Sequence, residues 1–189
     1  MKELEERILQ EGKVLPGGVL KVASFFNVNI DTSLTMNMGR EIARLFDGCE
    51  ITKVLTVETS GIPLALAAAN FVGVPLIFAK KNPSSNIDGE MLVEKVHSYT
   101  HGNDNFIVVP REYISKDDKI LIVDDFLAVG NALRGLCSLV SQAGAAMVGC
   151  AVGIEKGFQH GGDVIRQSGI RVESLAVIDS MDGGEIIFR

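Results

Sequence analysis

The sequence predicts an α/β domain with a mostly parallel central sheet flanked by helices. Three observations predict it. Short apolar runs, namely KVLTVE (53–58), VPLIFA (74–79), KILIVD (119–124), AMVGCAVGIE (146–155) and VESLAVI (172–178), alternate with helical stretches. The runs are mostly apolar throughout rather than at every second residue, as strands covered on both faces are. No repeat or linker divides the 189 residues, a length that buries one full core without staples.

The elements follow in order. Lys2 to about Glu11 is an amphipathic helix, and LPGGVLKVASFFNVNID (15–31) is a turn-rich stretch with two adjacent phenylalanines. Asp31 or Thr32 caps a second helix, whose apolar face is Leu34, Met38, Ile42, Leu45 and Phe46 and whose end is Asp47-Gly48. Strand 53–58 leads to helix 62–72 and strand 74–79. From Lys80 to about Asp104 the chain turns polar, with few anchors; 105–110 is a short strand. Strand 119–124, helix 131–144, strand 146–155, a short helix or turn at GGDVIRQSG (161–169) and strand 172–178 complete the pattern. Residues 1 to about 35 read as an accessory element on a core of about 36–179.

Composition bounds the function. Apolar residues make up 47% of the chain, so it is globular. A net charge of −6 and a pI near 5.1 make it a poor binder of nucleic acid or anionic membrane, though not of a small anion in a local pocket. Cys49, Cys137 and Cys150 match no zinc spacing and read as thiols in a reducing cytosol. The charged N-terminus is no signal peptide. The longest apolar stretch, 64–79, is broken by Asn70, Gly73 and Pro75 and falls short of the ~18–20 residues that span a bilayer. The expectation is a soluble, cytoplasmic protein.

The chemistry centres on ILIVDDFLAVGNA (120–132). Open α/β sheets bind ligands beyond the carboxyl ends of their strands. One Asp there would be a helix cap or a solvated turn. Two in a row, Asp124 and Asp125, repel each other unless a cation or hydroxyls answer them. The loop that follows has no bulky side chain and opens a helix, whose free N–H groups suit a phosphate. Hydroxyl acceptors beside a phosphate cradle match a ribose 5-phosphate. The stretch is neither a Walker A loop nor a GxGxxG turn.

This stretch resembles the phosphoribosyl diphosphate (PRPP) motif of the type I phosphoribosyltransferases. VETSGI (57–62) resembles that family's pyrophosphate loop, FAKKNP (78–83) its basic diphosphate segment, and IEKGF (154–158) the base-binding turn of its 6-oxopurine branch. The N-terminal 15–31 resembles the hood of the bacterial xanthine-using members, and the likeness covers essentially the whole chain. It implies a single domain with the type I fold, in which residues 1–35 and the C-terminal end form a hood for base recognition. It also implies an active-site loop over 82–104 that closes on substrate.

The resemblance further implies that pyrophosphate leaves C1 of PRPP as a purine nitrogen attacks. The base is expected to be xanthine, giving xanthosine 5'-monophosphate in purine salvage, with guanine or hypoxanthine as the alternative. A PRPP-sensing regulator is the reading from another class. Asp124 and Asp125 would accept from the ribose hydroxyls, with Asp125 nearer the base. Main-chain groups of Ala128, Val129, Gly130, Asn131 and Ala132 would hold the 5-phosphate. The commoner family loop has threonines where this chain has Val129 and Ala132, so two hydroxyl donors are missing. Thr59, Ser60 and Gly61 would meet the pyrophosphate, although on their own they read as a strand-to-helix turn with a Ser cap. Lys80 and Lys81 would neutralise the diphosphate, although alone they read as an exposed pair. Lys156 would point at the purine O6, with Leu20 and Asn27 at the 2-position. Phe158, or Phe25 and Phe26, are candidates to stack on the ring, the last two being read first as core. Mg²⁺ would enter with PRPP, held by phosphate oxygens and water rather than by a protein cage. His97 and His101 have a zinc-like i,i+4 spacing, but Gly102 argues against a helix there and no third ligand is evident. A homodimer is expected, with no nucleic acid or membrane partner.

Overall fold

The computed structural model describes residues 1–81, 89–98 and 103–189. An eight-stranded sheet runs through it in the order β10-β9-β8-β7-β3-β4-β6-β5, where β3 is Lys53–Val57, β4 Leu76–Lys81, β5 Met91–Ser98, β6 Asn103–Pro110, β7 Lys119–Leu127, β8 Ala146–Lys156, β9 Val172–Ser180 and β10 Ile187–Phe188. The central strands β4, β3, β7, β8 and β9 are parallel. The β6–β5 hairpin joins antiparallel at one edge and β10 at the other. Helices cover both faces, so two buried clusters form. Helix α1 (Lys2–Glu11), α2 (Thr32–Leu45) and α3 (Ile62–Val72) pack on one face; α4 (Asn131–Ala143) and α5 (Gly161–Gln167) pack on the other.

Local chemistry sets the helix ends. The Asp31 side chain caps α2 by accepting from the N–H of Leu34 at 3.0 Å. Its other oxygen meets Arg7 at 2.8 Å, which ties α1 to α2. The accessory segment is a small hairpin, β1 (Lys13–Leu15) with β2 (Val19–Lys21), followed by one π-helical turn, Ala23–Asn27. Phe25 and Phe26 in that turn are 1% and 3% exposed, so they are core residues, as their sequence context suggested.

Part of the polar stretch 82–104, expected as a loop, is regular structure among the described residues. Residues 91–98 form a strand, paired with 103–110 from Met91↔Pro110 to Ser98↔Asn103. The period-2 pattern was hidden because an inward position holds Glu94, whose carboxylate accepts from Ser138 and Gln142 of α4. His97 lies in β5, an extended strand rather than a helix. Residues 82–88, together with Tyr99 and His101, lie outside the described residues. No helix among the described residues is long and apolar enough to cross a membrane.

A polar tie below the site fixes β3 against the turn before β7. Burial alone would raise the pKa of Asp118, but Lys53 at 2.9 Å and hydrogen bonds from Ser115 and Thr52 outweigh it and hold the carboxyl at about 2. A depressed carboxylate stabilises the fold above its unfolded pKa, and that contribution is lost as pH falls through the folded value. Asp118→Asn is therefore expected to cost about 2 kcal/mol at neutral pH. Urea titration should show the difference closing toward pH 2, with catalytic constants unchanged.

Candidate active site

The sequence pattern of β7 changes at its acidic pair. Ile120 and Ile122 pack into one core and Leu121 and Val123 into the other, yet Phe126 joins the second cluster and Leu127 the first. The alternation slips by one across Asp124 and Asp125. Both acids line one cavity of about 290 Å³, beyond the carboxyl end of β3. The strand also runs three residues further than the apolar pattern indicated, so the pair lies within it rather than at its last residue.

Two loops complete the wall. Ala128–Gly130 connects β7 to α4, and Gly130 caps that helix at φ 85°, a left-handed conformation that favours glycine. No side chain caps α4. Its first N–H groups have no carbonyl one turn back, and the helix dipole makes this end positive. The second loop, Glu58–Gly61, leads into α3, whose N-cap is Gly61, again without a side-chain cap. The Ser-cap alternative for Ser60 is therefore not what the chain forms. Two helix N-termini thus serve one cavity, and residues 57–61 and 124–133 line it together with Lys81, Val96, Asn105 and Ile107.

Asp124 is 4% exposed, and its Oδ1 accepts from the N–H of Asp125 at 3.0 Å. Burial, then the charge of Asp125, pushes its pKa well above the usual carboxylate range; burial raises Asp125 too, while Lys81 draws both down. Gly61 leaves the room this carboxylate occupies. A Cβ on Gly61 would fall 2.5 Å from Asp124 Oδ1 and 2.4 Å from Thr56 Oγ1, a buried hydroxyl without a partner among the described residues. Gly61→Ala is expected to cost about 1–3 kcal/mol by overpacking. It should also lower kcat by about tenfold or more by displacing Asp124. Thermal unfolding and initial rates check the two effects.

The structure separates the two lysines. Lys81 lines the cavity and its N–H donates to the Glu58 carboxylate; Lys80, its neighbour on β4, is exposed and does not line it. Successive strand residues face opposite sides. The purine candidates lie toward the hood. Lys156 ends β8, is half-buried, and donates from Nζ to the Gly18 carbonyl at 2.9 Å; burial lowers its pKa. Its Nζ also lies 5.9 Å from the centroid of Phe126, which in turn is 6.1 Å from the ring of Phe26. Phe158 lines a second cavity of about 470 Å³ between residues 14–18 and 179–184. Leu20 is buried in β2 and Asn27 half-buried at the end of the π-helical turn; neither lines either cavity. Sequence reasoning missed Glu58 and Phe126. Phe126 continues an apolar strand and looked like core, and the only signal for Glu58 was its place directly before T-S-G.

Acids at the carboxyl edge of a parallel sheet, between two uncapped helix N-termini, suit a phosphorylated sugar. Residues 33–171 match the model of the phosphoribosyl transferase domain, so the chain belongs to that family. Its relatives narrow the class. The chain is 50% identical to the xanthine phosphoribosyltransferase of Brevibacillus brevis, over 100% of this chain and 96% of the relative. It is 46% identical to that of Lachnoclostridium phytofermentans (100% and 98%) and 47% identical to that of Bifidobacterium animalis subsp. lactis (100% and 100%). Solved structures share the fold. The adenine phosphoribosyltransferase of Giardia lamblia complexed with 9-deazaadenine superposes with a TM-score of 0.76 at 20% identity, over 92% of this chain and 96% of that one. That of Thermoanaerobacter pseudethanolicus gives 0.74 at 18% identity, over 92% and 98%.

Proposed function

We propose that this protein transfers the 5-phosphoribosyl group of PRPP to xanthine, releasing pyrophosphate and forming xanthosine 5'-monophosphate. One observation carries the reading: two adjacent carboxylates, Asp124 buried and Asp125 half-buried, share a cavity with two helix N-termini. A sugar bearing a phosphate at one end, a diphosphate at the other and two hydroxyls between them answers every one of those groups. The full-length relatives supply the choice of base, and Lys156 at the hood supports it.

As the bond from C1 to the diphosphate lengthens, positive charge develops on the ribose ring, as in glycoside cleavage. Asp124 and Asp125 accept from the ribose hydroxyls and stabilise that charge in a site of low polarity. Their mutual repulsion in the free protein is relieved in the same step. The N–H groups at the start of α4 hold the 5-phosphate. Those of Thr59 to Gly61, with Lys81, hold the diphosphate. Lys80, exposed on the other side of β4, is dropped from this set. Val96, Asn105 and Ile107 of the β5–β6 hairpin wall off the cavity and limit water near C1. Among the described residues no three His, Cys, Asp or Glu side chains converge on a metal. Mg²⁺ carried on the diphosphate with its own waters would neutralise the leaving group's charge. Lys156 donates to the purine O6, with the Phe126 ring 5.9 Å from that ammonium; Phe158 remains a stacking candidate, and Asn27 with the main chain of Leu20 is assigned to the 2-position by family resemblance. By family resemblance the working unit is a homodimer, which light scattering tests.

The decisive experiment offers xanthine, guanine, hypoxanthine and adenine in turn with PRPP and Mg²⁺ and measures pyrophosphate release. Xanthine is expected to give the highest kcat/KM. Preference for adenine overturns the base assignment. Absence of turnover with all four, alongside tight PRPP binding, favours a sensor over an enzyme.

A further inference from the structure

The phosphate loop lacks hydroxyl side chains at 129 and 132, so its grip depends on where the main chain of 128–132 is held. Helix α5 supplies a backstop. A Cβ on Gly161 would lie 2.1 Å from the Ala128 carbonyl oxygen, 2.5 Å from the Val129 carbonyl carbon and 2.8 Å from the Gly130 nitrogen. The main chain at 161 is therefore seated directly on the outside of the loop. Ile165 of the same helix reaches within 3.2 Å of the Cβ position on Gly130.

Seven residues that begin Gly161-Gly162 do not hold a helical turn in place by themselves. The hold comes from β8. Glu155, 1% exposed, accepts both terminal nitrogens of Arg166 at 2.8 and 2.7 Å, and the Ser174 hydroxyl of β9 as well. The guanidinium also donates to the Val172 carbonyl at 3.3 Å. Gly162 lets this pair close, since a Cβ there would be 2.0 Å from Glu155 Oε1. A bidentate pair fixes orientation as well as distance.

We infer that Glu155 and Arg166 are positioning residues for the 5-phosphate site: they clamp α5 so that Gly161 sets the shape of the loop 128–130. This rests on reading the cavity as the PRPP site. Neither side chain lines that cavity, so neither touches substrate.

The test uses the full chain and two probes, ribose 5-phosphate for the α4 loop and inorganic pyrophosphate for the α3 loop. Glu155→Gln/Arg166→Met removes both charges and so avoids leaving one buried alone. It is expected to weaken ribose 5-phosphate, and to raise the KM for PRPP, by about ten- to a hundredfold. Pyrophosphate binding and the KM for xanthine should stay within about twofold, as expected for sites that share no partner with the clamp. Arg166→Lys, which keeps the charge but not the fork, should fall between and decides the matter if the double variant does not fold. Equal weakening of both probes, or unchanged ribose 5-phosphate binding, overturns the inference. If the unaltered protein binds neither ribose 5-phosphate nor PRPP, the reading of the cavity itself fails, and the clamp's role with it.

Discussion

Asp124→Asn is expected to lower kcat on the order of 10²–10³-fold while raising the thermal midpoint of the ligand-free protein at neutral pH. The two effects share one cause. The carboxylate is buried beside a second carboxylate, and its pKa is raised in the fold, first by burial and then by Asp125. A raised carboxyl binds its proton more tightly folded than unfolded, so stability is full below the unfolded pKa and declines as pH rises through the folded one. The amide keeps the shape and the acceptor for the Asp125 N–H but carries no charge, so its advantage should be absent near the ordinary carboxyl range at about pH 4 and present at neutral pH. The transition state loses what the free protein gains, because only the charged form attracts an electron-poor ribose. Asp125→Asn should follow the same pattern with a smaller gain in stability, since that residue is less buried and its pKa less strongly raised. Calorimetric unfolding at the two pH values, with single-turnover rates, checks both halves. A stability loss at neutral pH, or near-normal turnover, would remove the pair from the mechanism.

Lys156→Ala is expected to reduce kcat/KM for the purine by about a hundredfold, the loss of one or two hydrogen bonds from a charged donor at ~1.5–3 kcal/mol each. The Kd of PRPP should hold. The ammonium sits at the meeting point of β8 and the hood, with one proton on the Gly18 carbonyl and others available to a purine oxygen. It is half-buried, and a charged donor held in place can discriminate an oxo from an amino group. The variant should lose its 6-oxopurine preference as well as its rate. Because Lys156 also holds the hood, Lys156→Met is the companion, keeping most of the packing stem without the donor. If Met retains the preference, Lys156 acts through the hood and not through the base. Equal loss of PRPP and purine binding would place it elsewhere in the site.

How far the sequence carried can be seen residue by residue. Helix 62–72 and the start of the helix at Asn131 were legible because apolar runs and glycine stops are local signals. The acidic pair and small-residue loop were legible because both lie in one uninterrupted stretch. Strand Met91–Ser98 was not, because Glu94 occupies an inward position that only Ser138 and Gln142 of a distant helix make tolerable. Lys80 and Lys81 could not be told apart without knowing which face of β4 meets the cavity.

By itself the sequence determined the α/β class, the order of the helices and of the parallel core strands, and the motif of paired acids followed by a small-residue loop. These follow from burial periodicity and from neighbouring residues along the chain. Only the tertiary structure decided that Lys81 rather than Lys80 lines the site and that Phe126 stands beside Lys156. It alone showed that Lys156 reaches Gly18, 138 positions away, and that Glu155 pairs with Arg166 on the helix whose Gly161 packs against residues 128–130. Those contacts cross between elements, and their energy depends on distance and dielectric once the sheet has closed, which no local pattern encodes.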